Sequence, residues 1–323
     1  MTATRAAAWF DRNTHDWSEW SLEQLMEAKA ATGHSVSLVV PARNEAGTVG
    51  DVVSRVRESL VDTVALLDEI VVIDSDSTDA TAAVAADAGA VVHRSRDIRP
   101  DLGSVPGKGE AMWKSLFVTR GDLVVFMDAD LNDWDTHFVP GLLGPLLSRP
   151  EVALVKGYYE RPGQTGPLDG GRVTELVARP TLALEHPDLA GLVQPLAGEW
   201  AVRRSLMEQL HVPTGYAVEI ASLIDTARLL GVDAIAQVGL GVRAHSHQPL
   251  LDLGAMATQL LAAVGRRRGT ASPAIDAAAA DPAGPSGPGS EVVLRQYRPR
   301  EGRIEPVERV VLLGERPPAR SVT

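Results

Sequence analysis

The sequence predicts an α/β protein with a mainly parallel sheet and helices on both of its faces. Two observations predict this fold class. Short apolar segments alternate with helical segments through residues 37–127, and a polar cluster follows several of the apolar segments directly. With 323 residues, of which 45% are hydrophobic, the chain has ample material for a buried core. In such sheets ligands bind at the carboxyl ends of the strands, so we expect the site there.

Each element is predicted from its own local pattern. An amphipathic helix is expected over residues 17–32, ended by Gly33. The alternating part gives strands at 37–40, 69–74, 90–93 and 123–127, and helices at 48–60, 78–88 and 109–119. The less regular second half gives strands at 151–159 and 234–242, and helices at 173–184, 217–230 and 251–265. The Ala-, Pro- and Gly-rich residues 270–290 are predicted to be a disordered linker, and the tail from Glu291 to return as short strands.

Composition excludes several classes of protein. The net charge of −11 provides no basic field for sequence-independent nucleic-acid binding. The absence of cysteine excludes disulfides, thiolate zinc sites and a cysteine nucleophile. No segment approaches the roughly 18 apolar residues of a membrane span, and the N-terminus lacks the apolar segment of a signal peptide. We therefore expect a cytoplasmic protein that does not span a membrane.

The most informative segment is Val124 to Leu131, an apolar run that ends in Asp128-Ala129-Asp130. Alternate residues of a strand point to the same side, so the two carboxylates are expected to project together where the strand leaves the core. Paired carboxylates form a hard oxygen site suited to a divalent cation that also holds phosphate. Taken alone, the pattern also fits an acidic turn after a strand.

Two further segments could serve anionic ligands or a metal. Gly107-Lys108-Gly109 departs from a P-loop in spacing and lacks its Ser or Thr, but it presents a lysine at a helix start, where backbone N–H groups favour anions. His245 and His247 follow an apolar strand and could bind Mg or Mn beside carboxylates. An exposed lysine and structural histidines are the simpler interpretations of these segments alone.

Taken together, the motifs resemble one family, the actinobacterial glucosyl-3-phosphoglycerate synthases, over about residues 35–265. The motifs are P-A-R-N-E, V-I-D-S-D-S-T-D, P-G-K-G-E-A-M-W-K-S, V-F-M-D-A-D-L, G-G-R-V-T-E-L-V-A-R-P, G-Y-A-V-E-I and L-G-V-R-A-H. The resemblance implies a retaining glycosyltransferase of the GT-A fold, with a Rossmann-like nucleotide-sugar-binding half and a helical acceptor-binding half. It also implies transfer of glucose from UDP-glucose to the 2-hydroxyl of 3-phosphoglycerate, with a divalent metal (Mg or Mn), in a homodimer.

The same resemblance assigns the nucleotide and metal residues. Asp130 and His245 would hold the metal. Asp128 would lie near the ribose and the metal's waters. The nucleotide site would further comprise Pro41, Ala42, Arg43 and Asn44 along the uridine, Glu45 on the ribose, Ser75 on the uracil, Lys108 on the diphosphate, and Ala129.

The acceptor site and the catalytic set are implied in the same way. Gly171, Arg172 and Thr174 would bind the phosphate or carboxylate of the acceptor, and Glu219 would lie close to the sugar and the acceptor. The implied catalytic residues are Asp130, Lys108, Glu219 and Arg172. Since no carboxylate nucleophile is evident, we expect a same-face route to retention, with Glu219 in a binding and electrostatic role. Contacts after His245 (Ser-His-Gln) and the loop 161–169 depart from the family pattern.

The predicted organisation has five parts: an N-terminal helical extension (1–34), the nucleotide-sugar half (35–135), the acceptor half (136–269), the linker (270–290) and the tail (291–323). Three alternatives stay open. The enzyme could use GDP-mannose or several donors, it could be an inverting transferase acting on a polyprenyl phosphate, or it could be an inactive module that only binds nucleotide or a protein partner. The complete set of charged site residues argues against the inactive module.

Overall fold

A computed structural model describes residues 2–160, 171–243, 249–268, 287, 289–300 and 303–322. An eight-stranded sheet forms its centre, with spatial order β1-β9-β6-β7-β5-β2-β3-β4. β7 runs antiparallel to β5 and β6, and the other pairings described in this sheet are parallel. In chain order the strands are β1 (Thr14–Asp16), β2 (Val36–Ala42), β3 (Glu69–Asp74), β4 (Val91–Arg94), β5 (Leu123–Phe126), β6 (Leu154–Glu160), β7 (Trp200–Arg203) and β9 (Ile235–Val242), while β8 (Val212–Pro213) lies outside the sheet.

Helices cover both faces of the sheet, which confirms the predicted fold class. The α-helices are α1 (Thr2–Asn13), α2 (Leu22–Thr32), α3 (Val49–Arg57), α4 (Thr81–Asp87), α5 (Lys108–Ser115), α6 (Phe138–Ser148), α7 (Arg179–Glu185), α8 (Arg204–Met207), α9 (Val218–Leu230) and α10 (Leu250–Arg266). Wider π-type turns extend α3 through Glu58–Thr63 and lead into α7 over Thr174–Ala178. Short 3-10 turns occupy Trp17–Glu19, Ser95–Asp97, Pro100–Leu102, Pro187–Leu189, Val232–Ala234 and Ala319–Ser321.

Alternation along the central strands divides the core into two apolar clusters. In β2, Val39 joins the cluster beneath α1, α5, α9 and α10, while Leu38 and Val40 join the cluster beneath α2, α3, α4 and α6. Period-two burial of this kind is expected for a strand covered on both faces. Among the described helices, none has the combined length and apolar character that crossing a membrane requires.

The leading helix begins later than predicted and then ends as predicted. Residues 17–19 form a 3-10 turn, and Ser21 caps α2, since its hydroxyl accepts from Gln24 N at 3.2 Å while Gln24 Oε1 accepts from Ser21 N at 2.9 Å. This reciprocal arrangement satisfies two backbone donors that a helix start leaves unpaired. Gly33 closes α2 in the left-handed region, at φ 68°. The segment before α2 adds β1, which pairs with β9 at the sheet edge.

The tail returns to the body of the protein, as predicted, but its strands are long. β10 (Glu291–Arg300) and β11 (Arg303–Leu312) form an antiparallel hairpin, and β12 (Glu315–Arg316) pairs antiparallel with β8. The linker predicted at 270–290 lies outside the described residues except for 287, 289 and 290.

Candidate active site

A cavity of about 520 Å³ lies at the carboxyl ends of β2, β3 and β5, where the sequence places the site. It brings together nucleotide, metal and acceptor candidates from distant parts of the chain. The predicted site residues that line it are Pro41, Ala42, Arg43, Glu45, Ser75, Lys108, Asp128, Ala129, Asp130, Gly171, Arg172, Thr174 and Glu219. Of the predicted set, Asn44 is not among the lining residues, and His245 lies outside the described part of the chain.

Asn44 braces the loop after β2. Its backbone lies in the left-handed region at φ 59°, which asparagine tolerates better than most residues. Its Oδ1 accepts from Thr78 N at 2.8 Å, and its own N–H donates to Ser77 Oγ at 2.9 Å. The Asn44 side chain therefore joins the loops after β2 and β3, so we assign it to shaping the nucleotide side of the cavity from outside its lining.

Asp128 is held between two cations. Its Oδ1 lies 2.5 Å from Lys108 Nζ, and its Oδ2 lies 3.6 Å from an Arg243 nitrogen. Burial raises the pKa of the Asp128 carboxyl, but attraction to Lys108 and Arg243 outweighs it and lowers the pKa to about 2. Gly198 packs so closely that a Cβ there would lie 2.0 Å from Asp128 Oδ2. Asp128 is therefore a fixed anion, with both oxygens committed to contacts within the protein.

Asp130 is more open to the cavity. β5 ends at Phe126, so both aspartates lie in the loop beyond the strand, and Arg243 holds them together there. The Asp130 side chain is 44% exposed, and its Oδ1 accepts from Arg243 at 3.2 Å. Burial and the nearby negative charge of Asp128 raise the pKa of the Asp130 carboxyl. A divalent cation would relieve this repulsion, so Asp130 is the carboxylate best placed to bind one.

Lys108 contacts carboxylates from two distant parts of the chain. Besides Asp128, its amine contacts Glu219 Oε1 at 2.9 Å, at the start of α9. Burial opposes the charge on Lys108, but the two carboxylates raise the pKa of the amine well above its ordinary value. Lys108 is thus a permanent cation at the floor of the cavity. Glu219, only 4% exposed and paired with that cation, is poorly placed to attack a sugar as a nucleophile.

Two backbone N–H groups in the first turn of α5 already have partners within the protein. Gly109 N donates to Gly215 O at 3.3 Å, and Glu110 N donates to Thr214 O at 2.9 Å. These two N–H groups are therefore committed within the protein. The Lys108 residue itself lines the cavity.

Arg243, which was not predicted as a site residue, contacts both aspartates on the acidic side of the cavity. Its guanidinium contacts Glu199 at 3.0 Å and Tyr159 Oη at 2.7 Å, in addition to both aspartates. Burial disfavours the charged guanidinium, but Glu199 and the other anions raise its pKa above the ordinary value. A signal was present, since Arg243 directly follows an apolar strand and lies within the G-V-R-A-H motif. Nothing in the sequence marks Glu199, which is fully buried beside it.

Lys156 is a second missed cation, fully buried beneath the site. Its amine donates to Ala197 O and lies 5.6 Å from the centre of the Trp200 ring. Burial lowers the pKa of the Lys156 amine to about 7, and the attraction of Glu219 and Glu199 offsets only part of that effect. Protonation of the Lys156 amine is therefore less favourable in the folded protein than in the unfolded chain.

This difference predicts a pH-dependent stability. Between about pH 7 and pH 10.5 the unfolded chain binds more protons at Lys156 than the folded protein, so this residue's contribution to folding rises with pH across that range. Replacing Lys156 with methionine removes the contribution. We expect the melting temperature of wild type relative to Lys156→Met to increase from neutral to alkaline pH. A difference that stays constant with pH would contradict the assigned pKa direction.

The described residues offer part of a metal site. No three His, Asp or Glu side chains within this part of the chain form a ready-made ligand cluster. However, the raised pKa values of Asp130 and of the half-buried Glu45, whose carboxylate is repelled by Asp130, indicate excess negative charge in the cavity. That excess fits a divalent cation that Asp130 would bind, while His245, the other predicted ligand, lies outside the described residues.

The acceptor candidates form another wall of the cavity. Gly171 takes φ 88° and leads directly into Arg172 and the π-type turn that starts at Thr174. Thr174 is buried, while Gly171 and Arg172 are partly exposed and line the cavity. One cavity therefore has an acidic wall with Asp130 and a separate wall with an arginine.

Comparison with known proteins identifies the family. The model of glycosyl transferase family 2 matches residues 37–209, more than half of the chain. The chain belongs to glycosyl transferase family 2. Most residues that line the cavity belong to the matched region. Glu219, Arg243 and residues of α10 also line it and lie outside that region.

Three relatives of this transferase are informative. The glucosyl-3-phosphoglycerate synthase of Mycolicibacterium smegmatis is 48% identical over 261 residues, which is 79% of this chain and 84% of that protein. The Mycobacterium tuberculosis glucosyl-3-phosphoglycerate synthase, solved with Mn²⁺ and UDP-glucose, has a TM-score of 0.79 at 43% identity, covering 94% of this chain and 96% of that one. The mannosyl-3-phosphoglycerate synthase of Rubrobacter xylanophilus has a TM-score of 0.86 at 38% identity, covering 98% of each chain.

Proposed function

We propose that this transferase is a glucosyl-3-phosphoglycerate synthase, which transfers glucose from UDP-glucose to the 2-hydroxyl of 3-phosphoglycerate with retention and with a divalent metal (Mg or Mn). The observation that carries the proposal is the division of one cavity into an acidic wall, with Asp128, Asp130 and Lys108, and a wall that contains Arg172. A nucleotide sugar and a phosphorylated acid need these two environments side by side. The names and complexes of the relatives agree with it.

The donor is assigned to the side of the cavity formed by the loops after β2, β3 and β5. In this proposal Asp130 and His245 hold the metal, which supplies positive charge at the diphosphate when bound. Lys108 adds a fixed positive charge where negative charge develops on the leaving diphosphate. The loop residues that contact the nucleotide are Pro41, Ala42, Arg43, Glu45, Ser75, Asp128 and Ala129.

The placement of the carboxylates bears on how a transfer with retention would proceed. Asp128 and Glu219 are both paired with Lys108, so neither is a free nucleophile. We therefore assign a same-face route, in which the leaving phosphate oxygen accepts the proton of the acceptor hydroxyl while positive charge develops at the sugar carbon. In that route Glu219 and Asp128 stabilise the positive centre electrostatically and hold Lys108 in place.

A mannosyl-3-phosphoglycerate synthase is the second candidate. The Rubrobacter xylanophilus enzyme of that name matches this chain over 98% of its length with a TM-score of 0.86. Donor choice depends on the shape of the cavity around the base and the sugar C2 hydroxyl, so GDP-mannose must be tested beside UDP-glucose. No comparable observation favours a polyprenyl phosphate acceptor.

The acceptor assignment predicts a specific kinetic defect. Replacing Arg172 with alanine removes a positive charge from the proposed phosphate or carboxylate site. We expect the KM for 3-phosphoglycerate to rise about tenfold or more, on the scale of a lost charge-assisted hydrogen bond, with little change in the affinity for UDP-glucose. Steady-state kinetics with either substrate varied measure both values. A collapse of donor affinity instead would place Arg172 at the nucleotide.

The decisive experiment is a product assay. The purified protein is incubated with 3-phosphoglycerate and UDP-glucose, ADP-glucose, GDP-glucose or GDP-mannose, each with Mg²⁺ and with EDTA, and the anomer is determined by NMR. We expect an α-linked glucosyl-3-phosphoglycerate from UDP-glucose that forms only with metal. No product from any donor would overturn the proposed reaction.

A homodimer and a cytoplasmic location remain predictions, to be checked by light scattering and by fractionation.

A further inference from the structure

The C-terminal tail contacts α5, the helix that begins with Lys108. Residues 312–317 run from the end of β11 through β12 and contact the start of α5. Trp113 Nε1, on α5, donates to Pro317 O at 2.8 Å. The tail thus contacts the element that carries the lysine of the cavity, although about 200 residues separate them in sequence.

Arg316 makes the main contact. Its guanidinium binds both oxygens of Glu110, at 2.7 and 2.6 Å, and donates to the carbonyls of Leu102 and Gly103 at 2.8 and 3.3 Å. Arg316 is 3% exposed and Glu110 is 1% exposed. A bidentate arginine–carboxylate pair fixes orientation as well as distance. Because Glu110 lies two residues after Lys108, this pair fixes the first turn of α5 at the point where Lys108 enters the cavity.

Backbone contacts join the tail to the same turn from a second side. Thr214 N donates to Gly314 O at 3.0 Å, and Thr214 O accepts from Glu110 N at 2.9 Å. The chain approaches Gly109 so closely that a Cβ there would lie 1.8 Å from Pro213 O. The tail is therefore hydrogen-bonded to Thr214, and Thr214 is hydrogen-bonded to the first turn of α5. A displacement of the tail is expected to displace Lys108 through these contacts.

We propose that Arg316 is a positioning residue for Lys108, acting through Glu110 and the first turn of α5. This inference rests on the proposed function, because it requires that the Lys108 charge stabilise the leaving diphosphate. Arg316 does not line the cavity, so its effect reaches the substrates through the residues it holds, and among these Lys108 carries the charge. Displacing a reacting or stabilising group by about 1 Å can cost about 10²-fold in rate.

A double-mutant cycle tests the proposal. Arg316→Met is measured in the wild-type background and in the Lys108→Met background, as kcat per folded molecule at saturating substrates, with the folded fraction determined by circular dichroism. We expect Arg316→Met to lower kcat by about tenfold or more in wild type, and by less than about twofold once Lys108 is absent. The KM for 3-phosphoglycerate should change little, because the acceptor wall lies on other elements.

Arg203→Met is the matched control. Arg203 also donates to several carbonyls, those of Leu146, Arg149 and Val152. However, it lies beside Leu123, at the amino end of β5, whereas the cavity lies at the carboxyl ends of the strands. We expect it to lower stability while leaving kcat per folded molecule unchanged. Should Arg316→Met fail to fold, Glu110→Gln/Arg316→Met removes both charges of the pair, so that Glu110 is not left as an unpaired anion, and is measured in the same cycle.

The outcomes separate this inference from the proposed function. Equal losses of kcat in both backgrounds, or no loss in wild type, would overturn the positioning role and leave the function of the cavity intact. If Lys108→Met itself keeps full kcat, the proposed role of Lys108 is wrong, and the role of Arg316 is wrong with it.

Discussion

Replacing Asp130 with alanine is expected to lower metal-dependent turnover by about 10²-fold or more, the scale on which preorganised charge stabilisation is lost. Asp130 is the aspartate of the pair that remains 44% exposed to the cavity. Its neighbour Asp128 is committed to Lys108 and cannot take over without giving up that contact. The loss should therefore be in metal affinity and in kcat together.

The measurement has a readout that does not depend on turnover. Calorimetric titration of Mn²⁺ in the presence of UDP should show weaker binding to Asp130→Ala than to wild type, and we expect His245→Ala to show the same defect. Asp135→Ala is the control, because Asp135 is 62% exposed and pairs with Arg55 outside the cavity. Unchanged Mn²⁺ affinity in both Asp130→Ala and His245→Ala would remove the metal assignment.

The alternating strands and helices of residues 36–126 could be predicted because each element is marked by its own residues. Glu69–Asp74 was predicted with the same bounds as the observed β3, since a short apolar run is flanked there by charged residues. α6 was missed, because Pro140, Gly141 and Pro145 argue against a helix when only local propensity is considered. Packing against the sheet, where almost all of α6 is buried, overrides that propensity.

In the cavity, too, residues marked by their local sequence could be predicted, and pairings between distant residues could not. Asp128 and Asp130 could be predicted together, because they follow a strand of the parallel sheet and ligands bind at the carboxyl ends of such strands. Lys108 was placed beside them by the family resemblance. Pairing between residues far apart in sequence could not be predicted from either partner alone: Glu199 is a buried acid that only the position of Arg243 explains, and Arg316 reaches Glu110 across 206 residues. β1 and β7 were missed for a related reason, since three or four residues are too few to show a period.

Replacing Arg243 with methionine is expected to have the largest effect on stability. Breaking a buried ion pair leaves an uncompensated charge and costs roughly 3–5 kcal/mol of unfolding free energy. Here that charge is Glu199, which is fully buried. Asp128 and Asp130 also lose the guanidinium that holds them side by side. We therefore expect a large fall in unfolding free energy, measured by urea denaturation, together with a loss of turnover.

A double variant separates these two consequences. Glu199→Gln/Arg243→Met removes the buried charge along with its partner, so part of the lost stability should return. Turnover should not return, because the contact between Arg243 and Asp130 Oδ1, at 3.2 Å, is still missing. Recovery of turnover in the double variant would mean that Arg243 serves only to neutralise Glu199. Continued loss would mean that the arginine organises the paired aspartates directly, and that the acidic wall depends on β9 as much as on the loop after β5.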